Sequence, residues 1–528
     1  MTTAAPFLIE IRHVPSKARL WQRRIVESLA ATPGISLRLV ECPPSAPDPA
    51  GLDLLFAFDR LFVGRDEETA VDRSSLAARA CVDGPADLVI DLDGGLDRAA
   101  DAPLLVPSCL GVPPLDGALA ALLDERVPVL ELDLIEASGA RCLGRWPVAI
   151  EDRRNSLRAA SMVMGRLAHM VVCAVDRLRR RPAEDAALSI ADAVGFARFG
   201  RFGALPLFLR SLEARIRRKL DRLSRTRVDW ATVWRRRDPT TAPYRPWDDA
   251  TPFRLLADDG ARFFADPFAF DVGDRTLLFL EEFPYATGRG ILSVAEIDAS
   301  GRVSAPRPIL DESCHLSYPQ VFAHAGSMWM IPETSGRRTV ELWRADVFPD
   351  RWTKHAVLLA DVDLADATVE EIDGTWWMFG TSRAEWCSSW DALHVYRAPA
   401  LEGPWTALDP APIRVDVASA RPGGRLFRDG DRWMRPVQDS STGYGCGLAL
   451  ARIDRLDAGG LDETVVARLA TPAPLAGLHT WNRSSGASGL FETFDVFVDR
   501  AAFGAERRLD LPPRAGAAQG VGRGDFES

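Results

Sequence analysis

Apolar runs and helix-like segments alternate over the first 180 residues. A helix is predicted over Lys17–Ala31, and a longer one from about Asn155 to Arg180. Three short apolar runs have the length and composition of buried strands: Phe7–Ile11, Ser36–Val40 and Ala86–Leu92. Strands that alternate with helices are typical of a parallel sheet with helices on its faces. Residues 1–180 are therefore predicted to form an α/β domain.

Residues 181–228 are predicted to form a helical connector. Within it, residues 205–227 are amphipathic, with many arginines on one side and an apolar row on the other: Leu207, Leu209, Leu212, Ile216 and Leu220. Such a helix can pack between domains with a solvated basic face, or it can make a peripheral contact with a membrane. Basic surface helices are common, so we favour the packing helix.

From residue 229 to residue 505 the helical spacing disappears, and glycine, proline and tryptophan separate short β-rich runs. Four units of similar sequence follow one another, and a degenerate fifth unit begins near His479–Asn482. The equivalent starting positions lie roughly fifty residues apart: Asp266, Tyr318, Asp366 and Arg421. Five units of this length, with four strands each, are typical of a five-bladed β-propeller.

Two segments flank the repeats. Val228–Arg236 is predicted to supply the outer strand that closes the ring. The glycine- and arginine-rich tail, residues 506–528, is predicted to be disordered. The fold class is therefore multidomain, with an α/β domain followed by an all-β propeller.

Propeller geometry brings the ends of the repeats together. The innermost strand of each blade starts near the central axis on one face, and the second strand returns to that face. One funnel is therefore predicted to hold the repeat starts Asp266, Tyr318, Asp366 and Arg421, the strand ends Glu281, Glu282, Glu333, Thr381, Gln438 and Asp439, and nearby His315, His479 and Asn482. Acids, amides and aromatics around one cavity suit a sugar. For the histidines and the short acids, a structural role at loop ends and turns is the alternative.

The blade motifs also carry a family resemblance. The ADPF motif that begins at Ala265, the tryptophan-rich second strands and the GPW turn resemble five-bladed propeller glycosidases such as arabinanases, β-xylosidases, invertases and levansucrases. The motifs HLSYPQVF, IPETS, ADATV, SARPGGRLF and RPVQDSSTGYG are similar to the propeller of plant glucosamine inositolphosphorylceramide transferases and of bacterial relatives. This resemblance implies a bacterial protein of polysaccharide biosynthesis. The plant glycosyltransferase domain has no counterpart here, so transferase activity is not implied.

The resemblance also implies catalytic roles. In the propeller glycosidases a first-blade aspartate is the base or nucleophile, which corresponds to Asp266, and a third-blade aspartate that tunes the acid corresponds to Asp366. Hydrolysis needs a second carboxyl group as the acid. In arabinanase-like members this is a glutamate later in the ring, whereas the fourth repeat of this chain starts with Arg421. Glu333 is the best substitute, because apolar Trp329 and Ile331 beside it favour a protonated carboxyl.

The N-terminal domain is similar, more weakly, to the formyltransferase fold of methionyl-tRNA and sugar N-formyltransferases. The similarity lies in the first strand and helix and in the motifs ADLVIDLDGG, VPSCLGVPPLDG and VPVLELDLIEASGARCLGRW. That family uses an Asn-x-His pair and a downstream aspartate, where this chain has Leu104, Val106 and Ala137. Leucine and valine cannot act as a general base, so formyl transfer is not expected. The domain is interpreted as a degenerate relative kept for folding or partner binding.

Composition narrows the class of partner. The 528 residues carry a net charge of −10, which argues against nucleic acid as a partner. The eight cysteines form neither CxxC pairs nor a zinc-like pattern, so no metal and no other cofactor is expected. No secretory signal is recognised, and the expected location is cytoplasmic.

The leading hypothesis is a propeller that binds a glycan or a glycolipid headgroup in the assembly or modification of a cell-envelope polysaccharide. One alternative is a glycoside hydrolase or transglycosidase that uses Asp266, Asp366 and Glu333. The other is a non-catalytic interaction scaffold. The sequence leaves open the sugar, its linkage and the oligomeric state.

Overall fold

The computed structural model describes most of the chain. The described residues are 6–44, 51–62, 67–76, 84–93, 102–180, 204–221, 228–237, 251–471, 475–486, 489–499 and 508–509. Residues 181–203 of the predicted connector, and the predicted disordered tail apart from residues 508–509, lie outside the described residues.

The N-terminal part folds around a six-stranded sheet with the order β2-β1-β3-β4-β5-β6. The strands are β1 (Phe7–His13), β2 (Ile35–Glu41), β3 (Leu88–Asp91), β4 (Leu104–Cys109), β5 (Val129–Glu136) and β6 (Gly139–Pro147). The first four strands pair in parallel, whereas β4–β5 and β5–β6 are antiparallel. The predicted α/β domain is confirmed, but the prediction of a parallel sheet was wrong for this edge. A two-residue connection between β5 and β6 can join only antiparallel strands.

In the described part of the chain, five α-helices accompany this sheet: α1 (Leu20–Ala31), α2 (Leu52–Arg60), α3 (Pro114–Leu123), α4 (Ser156–Arg180) and α5 (Ala204–Asp221). Helix α4 forms the centre of the core, with Leu157, Val163 and Leu167 fully buried. Within the described residues, α4 is the one helix long and apolar enough to cross a membrane, and 72% of its most apolar stretch is buried inside the protein. That burial is typical of the core helix of a globular domain.

The second part consists of five antiparallel sheets arranged as blades. The first blade contains β9 (Arg262–Val272), β10 (Arg275–Pro284), β11 (Ile291–Ile297) and β12 (Arg307–Leu310), and the second contains β13 (Ser317–His324), β14 (Ser327–Glu333), β15 (Thr339–Val347) and β16 (Arg351–Ala360). The third contains β17 (Leu364–Ile372), β18 (Thr375–Ser382), β19 (Ala392–Ala398), β20 (Thr406–Ala407) and β21 (Arg414–Val415). The fourth contains β22 (Phe427–Asp429), β23 (Arg432–Asp439), β24 (Gly447–Asp457) and β25 (Gly460–Ala470).

The fifth blade closes the ring with strands from both ends of the propeller. It runs from β26 (Gly477–Gly486) and β27 (Gly489–Asp499) to β7 (Val228–Arg237), β8 (Phe253–Leu255) and β28 (Arg508–Leu509). The segment predicted as the outer strand is therefore the third strand, because β8 pairs along its free edge. The prediction of a disordered tail was wrong for Arg508–Leu509, which pair with β8. The five-bladed propeller itself is confirmed.

Candidate functional site

The first strands of three blades begin with the same unusual backbone. Asp266, Tyr318 and Asp366 stand at equivalent repeat positions and have φ values of +44°, +47° and +52°. Residues other than glycine rarely adopt positive φ, and such strain collects at functional sites. Each of the three lies where the register between the first and second strands shifts, as in a β-bulge. At these bulges the three residues do not pair with the second strand, and they lie at the axis of the ring.

The carboxylate of Asp266 is buried and fully engaged. It accepts hydrogen bonds from the Thr480 hydroxyl at 2.5 Å and from the Tyr318 backbone N–H at 3.2 Å, and His479 Nε2 lies 3.3 Å away. The other ring nitrogen of His479, Nδ1, lies 2.9 Å from Asp495 Oδ2. One imidazole therefore lies between two buried carboxylates.

The opposite charges of this Asp–His–Asp group stabilise one another. Burial works against the imidazolium, yet Asp495 and Asp266 raise the pKa of His479 to about 10. Burial alone would raise the pKa of Asp266, but His479 and the Thr480 hydrogen bond hold it below its ordinary value. Asp266, His479 and Asp495 are also the one group in the described part of the chain with metal-ligand proximity. Since the two carboxylates contact opposite ring nitrogens, the protonated imidazole itself supplies the cation between them.

Asp366 forms a second buried charge group on the other side of the axis. Its carboxylate accepts hydrogen bonds of 2.6 Å from Arg421 Nε and of 2.6 Å from Gln438 Nε2. Its backbone N–H donates to Glu333 at 3.0 Å. Burial raises the pKa of Asp366 to about 7, although Arg421 opposes this shift. Asp366 is thus held by protein donors at the position where the resemblance implies a pKa-tuning role.

Glu281 is a buried carboxyl group near the Asp266–His479–Asp495 group. It lies near the end of the second strand of the first blade, opposite Ala265, and His315 Nε2 is 3.4 Å from its carboxyl group. Burial raises the pKa of Glu281 well above the ordinary value, and the charge of Asp266 adds to the effect. Glu333, which the sequence suggested as the acid, is only half-buried and accepts from the Ser335 hydroxyl at 2.8 Å. Glu281 is therefore the carboxyl group whose burial favours the protonated form.

Replacing Glu281 by glutamine is expected to stabilise the protein increasingly as pH rises. The carboxyl group ionises above about pH 4.3 in the unfolded state and at a higher pH in the folded state, so wild-type stability falls with pH between the two pKa values by up to about 1.4 kcal/mol per unit. The uncharged amide removes that loss. Urea denaturation at pH 4, 5.5 and 7 measures the effect. Glu282→Gln is the control, because the carboxylate of Glu282 accepts hydrogen bonds from Arg262 and Ser293. A wild-type–variant difference that is independent of pH would contradict the assignment.

Three buried side-chain oxygens at the funnel have no hydrogen-bond partner among the described residues. They are Thr381 Oγ1, Gln438 Oε1 and Ser440 Oγ. Thr381 pairs with Ala365, beside Asp366, and Gln438 and Ser440 lie at the end of the equivalent strand in the fourth blade. Buried polar groups are satisfied in nearly all proteins, so three such oxygens in the third and fourth blades are an unusual feature of this part of the propeller.

Aromatic side chains form the mouth of the funnel. The ring of Tyr444 is 40% exposed, lies 5.5 Å from Trp390 and 5.1 Å from His479, and packs over the Arg421 guanidinium at 5.3 Å. Trp230 flanks His479 at 4.2 Å. The sequence reasoning missed these three aromatics as site residues. The RPVQDSSTGYG motif contains Tyr444, but it lies in a loop that the repeat pattern does not place.

Several predicted binding residues lie elsewhere or serve the scaffold. Glu282 is buried within its blade by Arg262 and Ser293, and Asn482 bonds the backbone of Pro267 and Arg425. Asp439 points to Arg468 and Ser441 at the rim. Tyr318 is fully buried, with its hydroxyl 2.9 Å from Thr368. His315 stays exposed at the mouth beside Glu281.

The N-terminal domain reaches the funnel through the loop between β18 and β19. Arg166 of α4 donates to Asp391 at 2.8 Å, and both side chains are 1% exposed. Asp391 also accepts from the Ala149 N–H at 2.8 Å. Two residues earlier in the same loop, Ser389 accepts from Arg421 at 3.4 Å. One loop thus joins the core helix of the first domain to the arginine that neutralises Asp366.

A closed ring of five antiparallel blades is a five-bladed β-propeller. Residues 255–487 match the family described as "Glucosamine inositolphosphorylceramide transferase 1, N-terminal". The matched residues span most of the propeller and none of the α/β domain.

Curated relatives share this part of the chain. "Glucosamine inositolphosphorylceramide transferase 1" of Oryza sativa subsp. japonica is 34% identical over 226 residues, which is 42% of this chain and 30% of the rice protein. The Arabidopsis thaliana protein of the same name is 30% identical over 226 residues, which is 42% of this chain and 29% of the relative. The chain therefore spans less than a third of these relatives. Both are plant proteins, so they do not support the expected bacterial source.

Two solved glycosidase structures are similar to part of this chain at low identity. An exo-1,5-α-L-arabinanase from a bovine ruminal metagenomic library has 14% identity and a TM-score of 0.34, with 47% of this chain and 93% of that chain covered. The catalytic domain of a Coprinopsis cinerea α-L-arabinofuranosidase has 10% identity and a TM-score of 0.37, with 49% of this chain and 91% of that chain covered. The fold assignment itself rests on the strand pairing described above.

Proposed function

We propose that the propeller funnel binds a glycan or a glycolipid headgroup and that it recognises this ligand without cleaving it. The observation that carries the proposal is the set of buried oxygens of Thr381, Gln438 and Ser440 that have no partner among the described residues. Gln438 and Arg421 both bond Asp366, and the exposed Tyr444 lies over the Arg421 guanidinium. Sugar hydroxyls supply hydrogen bonds to such oxygens, and the apolar face of a pyranose or furanose packs on an aromatic ring. The combination of both features favours a carbohydrate over a purely apolar ligand.

The state of the acids favours recognition over hydrolysis. A glycosidase places one carboxylate and one carboxylic acid on either side of the bond that breaks. Here Asp266 accepts from Thr480 and Tyr318 and contacts His479, and Asp366 is neutralised by Arg421. Carboxylates held in this way order the funnel, and they are poorly placed to attack a sugar or a water molecule.

One observation favours the enzyme alternative. Asp266 has a lowered pKa and Glu281 a raised one, and two neighbouring carboxyl groups with opposite shifts are the usual arrangement of a base and an acid. In this alternative Glu281, rather than Glu333, donates the proton. Glu281→Gln would then abolish hydrolysis and retain binding, whereas Asp266→Asn separates lost catalysis from merely weakened recognition.

The setting we propose is the assembly or modification of a cell-envelope polysaccharide or glycolipid. The name of the plant relatives refers to glucosamine and inositolphosphorylceramide. A first ligand screen therefore includes glucosamine-containing glycans and inositol phosphate headgroups beside neutral oligosaccharides. A screen without any bound glycan would favour the interaction scaffold instead.

Thr381→Val is expected to weaken glycan binding about three- to tenfold, because one net hydrogen bond contributes about 0.5–1.5 kcal/mol. The Thr381 hydroxyl has no partner in the described part of the protein, so stability should stay within about 0.5 kcal/mol of the wild type. Isothermal titration with the best glycan of the screen measures the affinity.

Thr368→Val is the matched control. Its hydroxyl contacts the Tyr318 hydroxyl at 2.9 Å and bonds the Asp366 carbonyl at 3.0 Å. This variant should lose about 1–3 kcal/mol of stability, since it leaves buried polar groups unpaired. Unchanged affinity in Thr381→Val would remove this hydroxyl from the proposed sugar contacts.

A further inference from the structure

The exposed apolar side chains of the protein are concentrated on one surface. Eleven large hydrophobic residues are exposed among the described residues, and seven of them lie on or directly after α2 or on α5. These seven form what we call the α2–α5 surface: Leu54, Leu61, Phe62, Leu205, Leu209, Leu212 and Ile216. Isolated exposed hydrophobic residues are ordinary, whereas a contiguous group of them marks an interaction site.

Helix α5 exposes this row because its other side is already docked. Leu207 and Ser211 are buried against the domain, and the Ser211 hydroxyl donates to Asp59 at 2.7 Å. Residues 205, 209, 212 and 216 follow the helical spacing and form one stripe on the opposite side. The favoured interpretation of a packing helix with a solvated basic face is thus incomplete, since the exposed face is apolar.

The two helices lie side by side, so the seven residues belong to one surface. Phe208 of α5 packs on Phe58 of α2 with ring centroids 4.5 Å apart. At the other end, the Arg215 guanidinium lies over the Phe62 ring at 3.9 Å. The stripe of α5 therefore continues into the exposed residues at the end of α2.

The charge next to this surface has the opposite sign to that of the whole chain. Between Arg215 and Asp221, where α5 ends, the sequence has four basic residues and one acidic residue, although the net charge of the protein is −10. An apolar helical stripe followed by a polybasic segment is the pattern of helices that lie in the headgroup region of anionic membranes.

We infer that the α2–α5 surface docks on an anionic lipid membrane, with Leu205, Leu209, Leu212 and Ile216 inserted among the headgroups and the basic C-terminal end of α5 on anionic phosphates. This inference stands apart from the glycan proposal, because it uses no residue of the funnel.

Flotation of the full chain with phosphatidylglycerol–phosphatidylcholine vesicles tests the inference. The protein should float with anionic vesicles, remain in the dense fraction with pure phosphatidylcholine, and lose most of its binding in high salt. The double variant Leu209→Asp with Ile216→Asp should reduce the floated fraction at least about fivefold. The matched control is Val357→Asp with Val466→Asp, which changes two exposed hydrophobic residues of the propeller and should float like the wild type.

Three results would overturn the inference. The first is equal flotation of the wild type and of the α5 double variant. The second is a dimer of the wild type that the α5 variant dissolves, measured by light scattering, since it identifies a second copy as the occupant. The third is a large loss of thermal stability in the α5 variant without vesicles, which shows that another part of this chain covers the stripe.

Discussion

Replacing Arg421 by methionine is expected to lower the free energy of unfolding by about 3–5 kcal/mol, because it leaves a buried carboxylate without its charged partner. Asp366 is 3% exposed and would keep only the Gln438 side chain as a close neutral donor. The loss should be smaller at pH 5 than at pH 8, since Asp366 can take up a proton in acid. Glycan binding should also disappear in Arg421→Met, because Tyr444 packs on the Arg421 guanidinium. Denaturation at both pH values, together with titration of the glycan, measures these effects.

Arg425→Met is the control for Arg421. Arg425 pairs with Glu370 at 3.1 Å, but its side chain is 37% exposed, so the expected loss is at most about 1 kcal/mol. The double variant Arg421→Met with Asp366→Asn should recover part of the stability, because no buried charge then remains. Equal losses in Arg421→Met and Arg425→Met would show that the buried pair does not order the funnel.

Arg166→Met is expected to cost a similar amount, about 3–5 kcal/mol, at the contact between the two domains. The side chain contacts Asp391 at 2.8 Å and also donates to the Ser388 carbonyl at 2.9 Å. We expect the loop between β18 and β19 to exchange its amide hydrogens faster in this variant. Because Ser389 of that loop contacts Arg421, glycan affinity should also fall.

Arg24→Met is the matched control at the same interface. Arg24 pairs with Glu385 at 2.9 Å, and both side chains are about half exposed, so a loss of at most about 1 kcal/mol is expected. Hydrogen-exchange mass spectrometry and urea denaturation compare the two variants. If Arg166→Met leaves the exchange of residues 383–391 unchanged, the N-terminal domain does not support the funnel.

The propeller could be predicted from sequence because each blade repeats the same local sequence pattern. Asp266, Tyr318 and Asp366 start equivalent strands, and the structure gives all three the same positive φ. The closing blade was predicted less well, since the order of β7 and β8 depends on pairing between distant segments. Strand ends could be placed on the funnel face. Which of the two neighbours Glu281 and Glu282 faces the funnel depends on a bulge that the sequence does not reveal.

The mouth of the funnel could not be predicted for a different reason. Trp390 and Tyr444 lie in loops between second and third strands, and such loops follow no repeat. Their positions depend on contacts with Trp230 and with the N-terminal domain. Gly445 shows this dependence, because a Cβ atom there would lie 2.4 Å from the Trp230 ring. The exposed apolar stripe of α5 could not be predicted either, because an amphipathic pattern does not show which face of the helix is docked.

The most direct test of the account is a crystal structure of the full chain soaked with the best glycan from an array screen. A sugar is expected on the Tyr444 ring, with hydroxyl groups within hydrogen-bond distance of Thr381 Oγ1 and Gln438 Oε1. A sugar bound away from the repeat-start face of the ring, or an array on which no glycan binds, would contradict it.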